Sequence, residues 1–182
     1  MIDGGAKLIQ IRGKEMSASE FLDAAKAVMF LARPFPSVKI IINDRADIAK
    51  ICGAHGVHLG QSDLPPAAAR DLLGPQAIIG YSTHSVEQAS SAAAMPVNYI
   101  AAGPVFGTST KNDAEPVIGL SGLALIKAAI GDIPLVAIGG IDSENAASAV
   151  GAGANMLAVI SAVTSATDIS AAVAGLIQKI SK

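Results

Sequence analysis

The sequence predicts an α/β fold of the TIM (β/α)8-barrel type, in which helices surround one parallel sheet. Two observations support this fold. Short apolar runs alternate with helical segments along the chain, as they do when helices connect parallel strands. Polar residues follow nearly every run, whereas an open doubly wound sheet gathers its site at one switch point. Alternation alone also fits the open sheet, and the seven runs are one fewer than a closed barrel contains.

The predicted strands are short apolar runs that stop abruptly at polar residues, glycine or proline. They are Lys7–Ile11, Val38–Ile42, Gly56–Leu59, Ala77–Tyr81, Val97–Ala101, Leu135–Ile138 and Met156–Ile160. The predicted helices are Ser19–Phe30, Ala46–Cys52, Pro65–Leu73, Val86–Ala94, Gly122–Ala129, Ser143–Ala149 and Ile169–Ile180. No linker or low-complexity tract interrupts this alternation, so residues 1–182 are expected to form a single barrel domain.

Composition excludes several classes of function. Of 182 residues, 51% are hydrophobic and 3% aromatic, so aliphatic side chains must fill a core of strands buried on both faces. A net charge of -2 without a basic run argues against a nucleic-acid partner. No apolar stretch reaches the ~18 residues of a membrane span, and no charged-then-apolar leader is recognised. We therefore expect a cytoplasmic protein with no membrane partner.

Two aspartates follow neighbouring predicted strands. Asp44 comes directly after the second strand, and Asp63 follows the third after a short polar segment. The carboxyl ends of parallel strands lie on the same side of a sheet, with neighbouring strands roughly 5 Å apart. The two carboxylates are therefore expected to share one divalent cation, with coordination positions left for water and phosphate oxygens, as Mg²⁺ is usually bound. The alternative for each aspartate is a helix N-cap.

The first predicted strand places polar side chains in one row. Side chains alternate between the faces of a strand, so Gln10 and Arg12 share one face while Ile9 and Ile11 share the other. Lys14 continues the polar row into the following loop. Three donors aimed in one direction suit an anion. The alternative is an edge strand with one solvated face.

Later loops also offer hydrogen-bond donors. After the fourth predicted strand, Ser82 and Thr83 carry hydroxyls that face the site or cap the next helix. The long polar loop after the fifth strand carries Thr108 and Thr110 followed by Lys111. This combination can hydrogen-bond to an anion and neutralise it, and such a loop can close over a ligand.

The last two predicted strands end in segments typical of phosphate binding. Gly139 and Gly140 follow one strand, and Ser161 follows Ile160 at the end of the other. Glycines expose backbone N–H groups, and a nearby helix N-terminus adds positive potential, so these loops predict a phosphate cradle. His58, inside a strand, is expected to be a hydrogen-bonded core imidazole rather than a catalyst.

Together these segments resemble the thiamine phosphate synthase family. The motifs are Gln10-x-Arg12-x-Lys14, Ile42-Asn43-Asp44, His58-x-Gly60-Gln61-x-Asp63, Thr108-x-Thr110-Lys111, Ile138-Gly139-Gly140 and Ile160-Ser161, in one order. The resemblance spans nearly the whole chain, from Ala6 to Ala162. It implies Mg²⁺-dependent transfer of the 4-amino-2-methylpyrimidin-5-ylmethyl group from its diphosphate to a thiazole phosphate, which gives thiamine phosphate and pyrophosphate.

The resemblance also implies a role for each site residue. Asp44 and Asp63 would hold Mg²⁺. The pyrimidine diphosphate would be bound by Gln10, Arg12, Lys14, Asn43, Ser82 and Lys111, of which Arg12, Lys14, Ser82 and Lys111 are the expected catalytic groups. Thr108 and Thr110 would contact the thiazole, while the Gly140 backbone and the Ile160-Ser161 turn would hold its phosphate. Both partners implied are small molecules.

The sequence departs from the family at two points. Gly13 stands where the family usually has an acidic residue between the arginine and the lysine. The family also normally begins with a further strand and helix, so we expect a gap in the barrel, exposed strand edges, and weakened stability or homo-oligomerisation. Two other functions stay open: a thiazole tautomerase, which has a histidine where this chain has Pro104, and a non-catalytic phosphate-binding barrel.

Overall fold

The computed structural model describes residues 1–108 and 115–180 of the chain. Within these ranges the strands are β1 (Leu8–Ile11), β2 (Lys39–Asn43), β3 (Gly56–Leu59), β4 (Ile78–Thr83), β5 (Tyr99–Ala102), β6 (Leu135–Ile138) and β7 (Met156–Ala158). The helices are α1 (Ala18–Ala32), α2 (Ala46–Cys52), α3 (Pro66–Leu73), α4 (Val86–Ala93), α5 (Gly119–Ile130), α6 (Ala146–Gly151), α7 (Ser161–Thr164) and α8 (Ile169–Ile180).

The sheet is parallel throughout, and each strand pairs with the next one in the chain. The strand order is therefore β1-β2-β3-β4-β5-β6-β7. A doubly wound sheet would reverse its strand order part-way across. The open-sheet alternative is wrong, and the prediction of a barrel-type α/β fold is confirmed.

Two sets of side chains cover the two faces of the sheet. Outward-facing residues such as Ile42, Val57 and Ile79 have no exposed surface and pack in the main core with helix residues. On the opposite face, Tyr99 and Val136 belong to a separate cluster whose described members are all strand residues. That cluster fills the inside of the curved sheet, as side chains do in (β/α) barrels.

The first helix illustrates how local sequence sets the element boundaries. The Ser17 hydroxyl accepts from the backbone N–H of Glu20, and the Glu20 carboxylate accepts from the backbone N–H of Ser17, which is a capping box. Phe21 and Ala25, one turn apart, are buried against the sheet. The helix therefore begins at Ala18, one residue before the predicted start.

Several boundaries differ from the prediction because of contacts distant in the chain. Strand β4 continues to Thr83 rather than ending at Tyr81, since Ser82 and Thr83 pair with β5. Strand β7 ends at Ala158, and the chain then forms α7, a short helix that the sequence did not predict.

Helix α6 starts three residues later than expected because a turn precedes it. The Asp142 carboxylate accepts from the backbone N–H of Glu144 at 2.8 Å and of Asn145 at 3.1 Å. A side chain that binds nearby backbone N–H groups in this way stabilises a turn in competition with helix. The helix therefore begins only at Ala146.

The two outer strands of the sheet each pair on one side only within the described ranges. Leu8 on β1 is 37% exposed. The turn that precedes β1 lies against α8, since a Cβ added to Gly4 would come within 2.4 Å of the Ser170 carbonyl oxygen. No helix among the described residues is both long and apolar enough to cross a membrane.

Candidate active site

Asp44 and Asp63 lie together beyond the carboxyl ends of β2 and β3. The backbone N–H of Asp44 donates to the His58 carbonyl at 2.8 Å, which ties the end of β2 to β3. The Asp63 carboxylate accepts from the Gly60 N–H at 2.7 Å, which closes the turn after β3. Asp44 has φ of 60°, a left-handed conformation that aspartate and asparagine tolerate better than most residues. These backbone contacts fix both carboxylates on one side of the sheet.

Neither aspartate caps a helix. Arg45 occupies the N-cap position of α2 and Pro65 that of α3, and neither position has a side-chain cap bond. The capping interpretation is therefore wrong for both aspartates.

The electrostatics of the pair show that the two carboxyl groups interact. Burial raises the pKa of Asp44, and a hydrogen bond and the negative charge of Asp63 raise it further. Lys14 opposes this rise, with its Nζ 3.4 Å from the Asp44 carboxylate. The loops after β1, β2 and β3 thus bring one ammonium and two carboxyl groups together.

The donor set fits a hard divalent cation. Among residues 1–108 and 115–180, no group of three or more His, Cys, Asp or Glu side chains gathers at one point, so the ligands offered by these ranges are the two carboxylates. Two carboxylates leave positions for water and phosphate oxygens, which is typical of Mg²⁺ beside a phosphorylated substrate. A cation between the carboxylates would also offset both the burial of Asp44 and its repulsion by Asp63, which together raise the pKa of Asp44.

The polar row of β1 lies at an edge of the sheet. Gln10, Arg12 and Lys14 are all exposed, so the row is accessible to a ligand and also has the solvated face of an edge strand. Asn43, at the end of β2, is 8% exposed and lies next to Asp44. Of Gln10, Arg12 and Lys14, only Lys14 forms an ion pair with Asp44 in the described part of the chain.

Ser82, on β4, is hydrogen-bonded to His58 of β3 and to Gln61 in the turn after β3. Its hydroxyl lies 2.8 Å from His58 Nε2, and its carbonyl accepts from Gln61 Nε2 at 2.6 Å. His58 is 8% exposed and hydrogen-bonded, as the sequence predicted. Thr83 has no exposed surface and donates to the Ala101 carbonyl, while Ser85 caps α4. Thr83 is therefore neither a cap nor a site residue.

Sequence reasoning gave no role to Gln61 or Tyr99. Gln61 links the turn that carries Asp63 to β4 through the Ser82 carbonyl. The Tyr99 hydroxyl lies 2.9 Å from His58 Nδ1. Gln61 falls inside the motif His58-x-Gly60-Gln61-x-Asp63, which could have indicated its role. Tyr99 is 41 residues from its partner, and no local pattern marks it.

The loops after β5 and β6 are held against each other. Backbone N–H groups of Val105 and Phe106 donate to the carbonyls of Ile138 and Gly139 at 2.9 and 3.0 Å. Gly140 has φ of 63°, and a Cβ there would come within 2.4 Å of the Gly107 carbonyl oxygen. Only glycine allows this approach at this backbone conformation.

The predicted residues of these loops are only partly described. Thr108 is partly buried in the loop after β5, while Thr110 and Lys111 lie outside the described residues. Ile160 is 41% exposed at the N-cap position of α7, and Ser161 is the first residue of that helix. Because Ile138 and Ala158 are register partners, the Gly140 and Ser161 segments follow neighbouring strands.

Comparison with known proteins gives a consistent result. The family model described as thiamine monophosphate synthase matches residues 1–163. The thiamine-phosphate synthase of Azorhizobium caulinodans is 45% identical over 171 residues, which cover 94% of this chain and 80% of the relative. That of Moorella thermoacetica is 45% identical over 169 residues, covering 93% and 80%. The chain thus spans about four fifths of the length of these relatives.

Solved structures agree with these relatives. The thiamine phosphate pyrophosphorylase of Pyrococcus furiosus superposes with a TM-score of 0.89 at 38% identity, covering 98% of this chain and 85% of that one. A 3-hexulose-6-phosphate synthase, at 19% identity and a TM-score of 0.71, shares the fold and covers 96% of this chain and 87% of its own. The chain belongs to the thiamine monophosphate synthase family.

Proposed function

We propose that the chain transfers the 4-amino-2-methylpyrimidin-5-ylmethyl group from its diphosphate to a thiazole phosphate, with Mg²⁺ held by Asp44 and Asp63. The family and the curated relatives indicate a transferase with thiamine-phosphate synthase activity. The observation that carries the site assignment is the convergence of Asp44, Asp63 and Lys14 beyond three consecutive strands. Two carboxylates beside an ammonium group suit a complex of Mg²⁺ with a diphosphate, which carries both positive and negative charge. A ligand that is only positive or only negative would suit them less well.

The charges of the proposed complex nearly balance. A diphosphate of about -3 and two aspartates are offset by one Mg²⁺ together with Arg12, Lys14 and Lys111. When bound, Mg²⁺ would stabilise the negative charge of the departing pyrophosphate. Arg12 and Lys14 would bind the same oxygens from the β1 side, where both side chains are exposed. Because these charges nearly cancel in the site, the energy needed to break the bond between the pyrophosphate and the methylene carbon is lowered.

The reaction needs little proton transfer by the protein. As the C–O bond breaks, the pyrimidine methylene becomes cation-like, helped by the amino-substituted ring, and the thiazole nitrogen attacks it. Gln10, Asn43 and Ser82 would orient the pyrimidine diphosphate, and Lys111 would bind it from the loop after β5. Positioning and electrostatic stabilisation would therefore supply most of the rate.

The thiazole phosphate would bind on the β6 and β7 side. Thr108 and Thr110 would contact the thiazole, and the backbone of Gly140 together with Ile160 and Ser161 would hold the phosphate. The close approach of Gly140 to the Gly107 carbonyl supports this placement, because it brings the segment that leads into Thr108 beside the Gly140 loop.

A tautomerase function is the weaker candidate. The related enzymes would use a histidine where this chain has Pro104, and they lack the paired aspartates. A non-catalytic phosphate-binding barrel would bind thiazole phosphate without needing Asp44 or Asp63.

Association between copies is a further part of the proposal. Strands β1 and β7 each have one unpaired side among the described residues, and unpaired strand edges are sites for pairing with another chain. We expect homo-oligomers by analytical ultracentrifugation, and a monodisperse monomer that melts cooperatively would contradict this. A biosynthetic transferase acting on small phosphorylated substrates also fits a cytoplasmic location.

The function is tested by incubating the protein with both substrates and Mg²⁺ and oxidising the product to fluorescent thiochrome. We expect fluorescence that EDTA abolishes. Asp44→Ala combined with Asp63→Ala should remove turnover but leave thiazole phosphate binding intact. Asp71→Ala with Asp132→Ala, at exposed positions on α3 and after α5, is the matched control. A folded protein that gives no product with Mg²⁺ would overturn the assignment.

A further inference from the structure

We propose that His58 and Tyr99 are positioning residues that turn the Ser82 hydroxyl into a hydrogen-bond donor toward the substrate diphosphate. This inference rests on the proposed function, in which Ser82 contacts the pyrimidine diphosphate. Neither His58 nor Tyr99 touches the substrate in this proposal. They act through Ser82.

The three side chains form one chain of hydrogen bonds across β3, β4 and β5. The Tyr99 hydroxyl lies 2.9 Å from His58 Nδ1, and His58 Nε2 lies 2.8 Å from Ser82 Oγ. The two rings stack with centroids 5.5 Å apart and planes 18° from parallel. Both imidazole nitrogens thus have defined partners, and the ring orientation is fixed from both sides.

Glycine at position 80 makes this contact possible. Gly80 is the register partner of both His58 and Tyr99, so all three positions face the inside of the sheet in one row. A Cβ on Gly80 would lie 2.0 Å from Tyr99 Cζ and 2.5 Å from His58 Nδ1. The missing side chain of β4 therefore provides the space in which residues of β3 and β5 meet.

The partners of the Tyr99 hydroxyl determine which group donates in each of these hydrogen bonds. Tyr99 is 5% exposed, and burial raises the pKa of its hydroxyl, so the phenol keeps its proton. Within the described ranges the partner of that hydroxyl is His58 Nδ1, and the reverse orientation would leave a buried phenolic proton without an acceptor. Tyr99 therefore donates to Nδ1.

The consequence reaches Ser82 through the histidine tautomer. A neutral imidazole that accepts at Nδ1 carries its proton on Nε2. Nε2–H then donates to Ser82 Oγ. The Ser82 hydroxyl therefore cannot donate its own proton to His58, and that proton is available for another acceptor. Ser82 is only partly buried and lies two residues beyond Gly80 toward the carboxyl end of β4, where the diphosphate is proposed to bind.

We call the hydrogen-bonded series Tyr99–His58–Ser82 the relay. It predicts an effect on the kinetic constants that packing alone would not give. A serine donor aimed at a leaving diphosphate gains strength as negative charge develops, so its loss should lower kcat more than it raises KM. Tyr99→Phe keeps the ring and removes only the hydroxyl. We expect it to lower kcat by about 3- to 10-fold, the size of one hydrogen bond, with little change in KM.

The decisive test combines variants with spectroscopy. Tyr99→Phe should lower kcat in the wild-type background but have no further effect in Ser82→Ala. His58→Gln, which retains an N–H donor, should keep more activity than His58→Leu. Tyr81→Phe is the matched control, because Tyr81 packs in the core on the opposite face of β4. In ¹⁵N-labelled protein, His58 should give the signals of the Nε2–H tautomer, and Tyr99→Phe should change them.

The outcomes separate the relay from the proposed function. A wild-type protein without synthase activity would overturn the function and the role of the relay with it. An active protein in which Tyr99→Phe lowers kcat equally with and without Ser82 would overturn the relay alone. An Nδ1–H tautomer in the wild-type protein would do the same.

Discussion

The ammonium nitrogen of Lys14 lies 3.4 Å from a carboxylate oxygen of Asp44 and joins the loop after β1 to the end of β2. Lys14 is 54% exposed at its side chain and Asp44 23%, so the pair lies at the rim of the site. An ion pair so accessible to water stabilises the fold little. Its position is better explained by a ligand that needs both charges.

Lys14→Met tests this explanation. We expect kcat/KM to fall by about 100-fold, because a cation that stabilises the leaving diphosphate is lost. The free energy of unfolding should change by no more than about 1 kcal/mol. Steady-state kinetics and urea unfolding measure the two quantities. Lys7→Met removes the same charge just before β1, at the other end of the strand, and should leave kcat/KM unchanged; equal losses in both variants would contradict a specific role.

Added Mg²⁺ should stabilise the protein through the aspartate pair. At 100 times its dissociation constant, a ligand that binds only the folded state contributes about 2.7 kcal/mol. We therefore expect the melting temperature to rise with Mg²⁺ in the wild-type protein and not in Asp44→Asn. Asparagine tolerates the positive φ at this position, so the variant changes charge with little backbone strain. Asp71→Asn is the control, and a Mg²⁺ response in Asp44→Asn would place the ion elsewhere.

The metal-free protein should lose stability from Asp44 as the pH rises. Burial first and then Asp63 raise the pKa of Asp44 above its ordinary value of 3.8, so the folded state holds the proton to higher pH than the unfolded state. This contribution is fully present below pH 3.8 and is lost as the pH passes the raised folded-state pKa.

Urea unfolding in EDTA, from about pH 4 to about pH 7, checks this sign for wild type and Asp44→Asn. We expect the variant to gain stability relative to wild type across that range. If the wild-type protein instead gained stability relative to the variant as the pH rises, the Lys14 ion pair would outweigh the effects of burial and Asp63 on Asp44.

Gly80→Ala should destabilise the fold strongly. The added methyl group would lie 2.0 Å from Tyr99 Cζ, inside a packed row of the sheet. Overpacking of this kind costs about 1 to 3 kcal/mol, which chemical denaturation can measure. If the variant were as stable as wild type, the close contact of His58 and Tyr99 across Gly80 would be wrong.

Gly175→Ala should have the opposite effect. Gly175 lies in the interior of α8, it is exposed, and a Cβ there would meet nothing within 4 Å. Alanine in an exposed helix interior is favoured over glycine by about 1 kcal/mol. We expect a higher midpoint of denaturation with unchanged kcat, and a loss of stability would indicate that α8 packs differently.

The sequence determined the order of elements and most of the proposed site. Apolar runs that end at polar residues predicted the strands, because a parallel sheet buries both faces of each strand. The same geometry predicted that Asp44 and Asp63 converge, since each follows one of two neighbouring parallel strands. Gly139 and Gly140 were recognisable because paired glycines after a strand expose backbone N–H groups. In the structure both adopt positive φ, which glycine allows.

Only the tertiary structure decided the roles that depend on distant partners. Local pattern allowed Thr83 to cap a helix, but register with β5 buries it. Taken alone, Asp44 was better explained by local pattern as a helix cap, but its backbone bond to His58 places it beside Asp63. The contact of His58 with Tyr99 joins residues 41 positions apart, and it exists because Gly80 on the intervening strand has no side chain. Such contacts depend on the register of neighbouring strands, which periodicity along one strand does not specify.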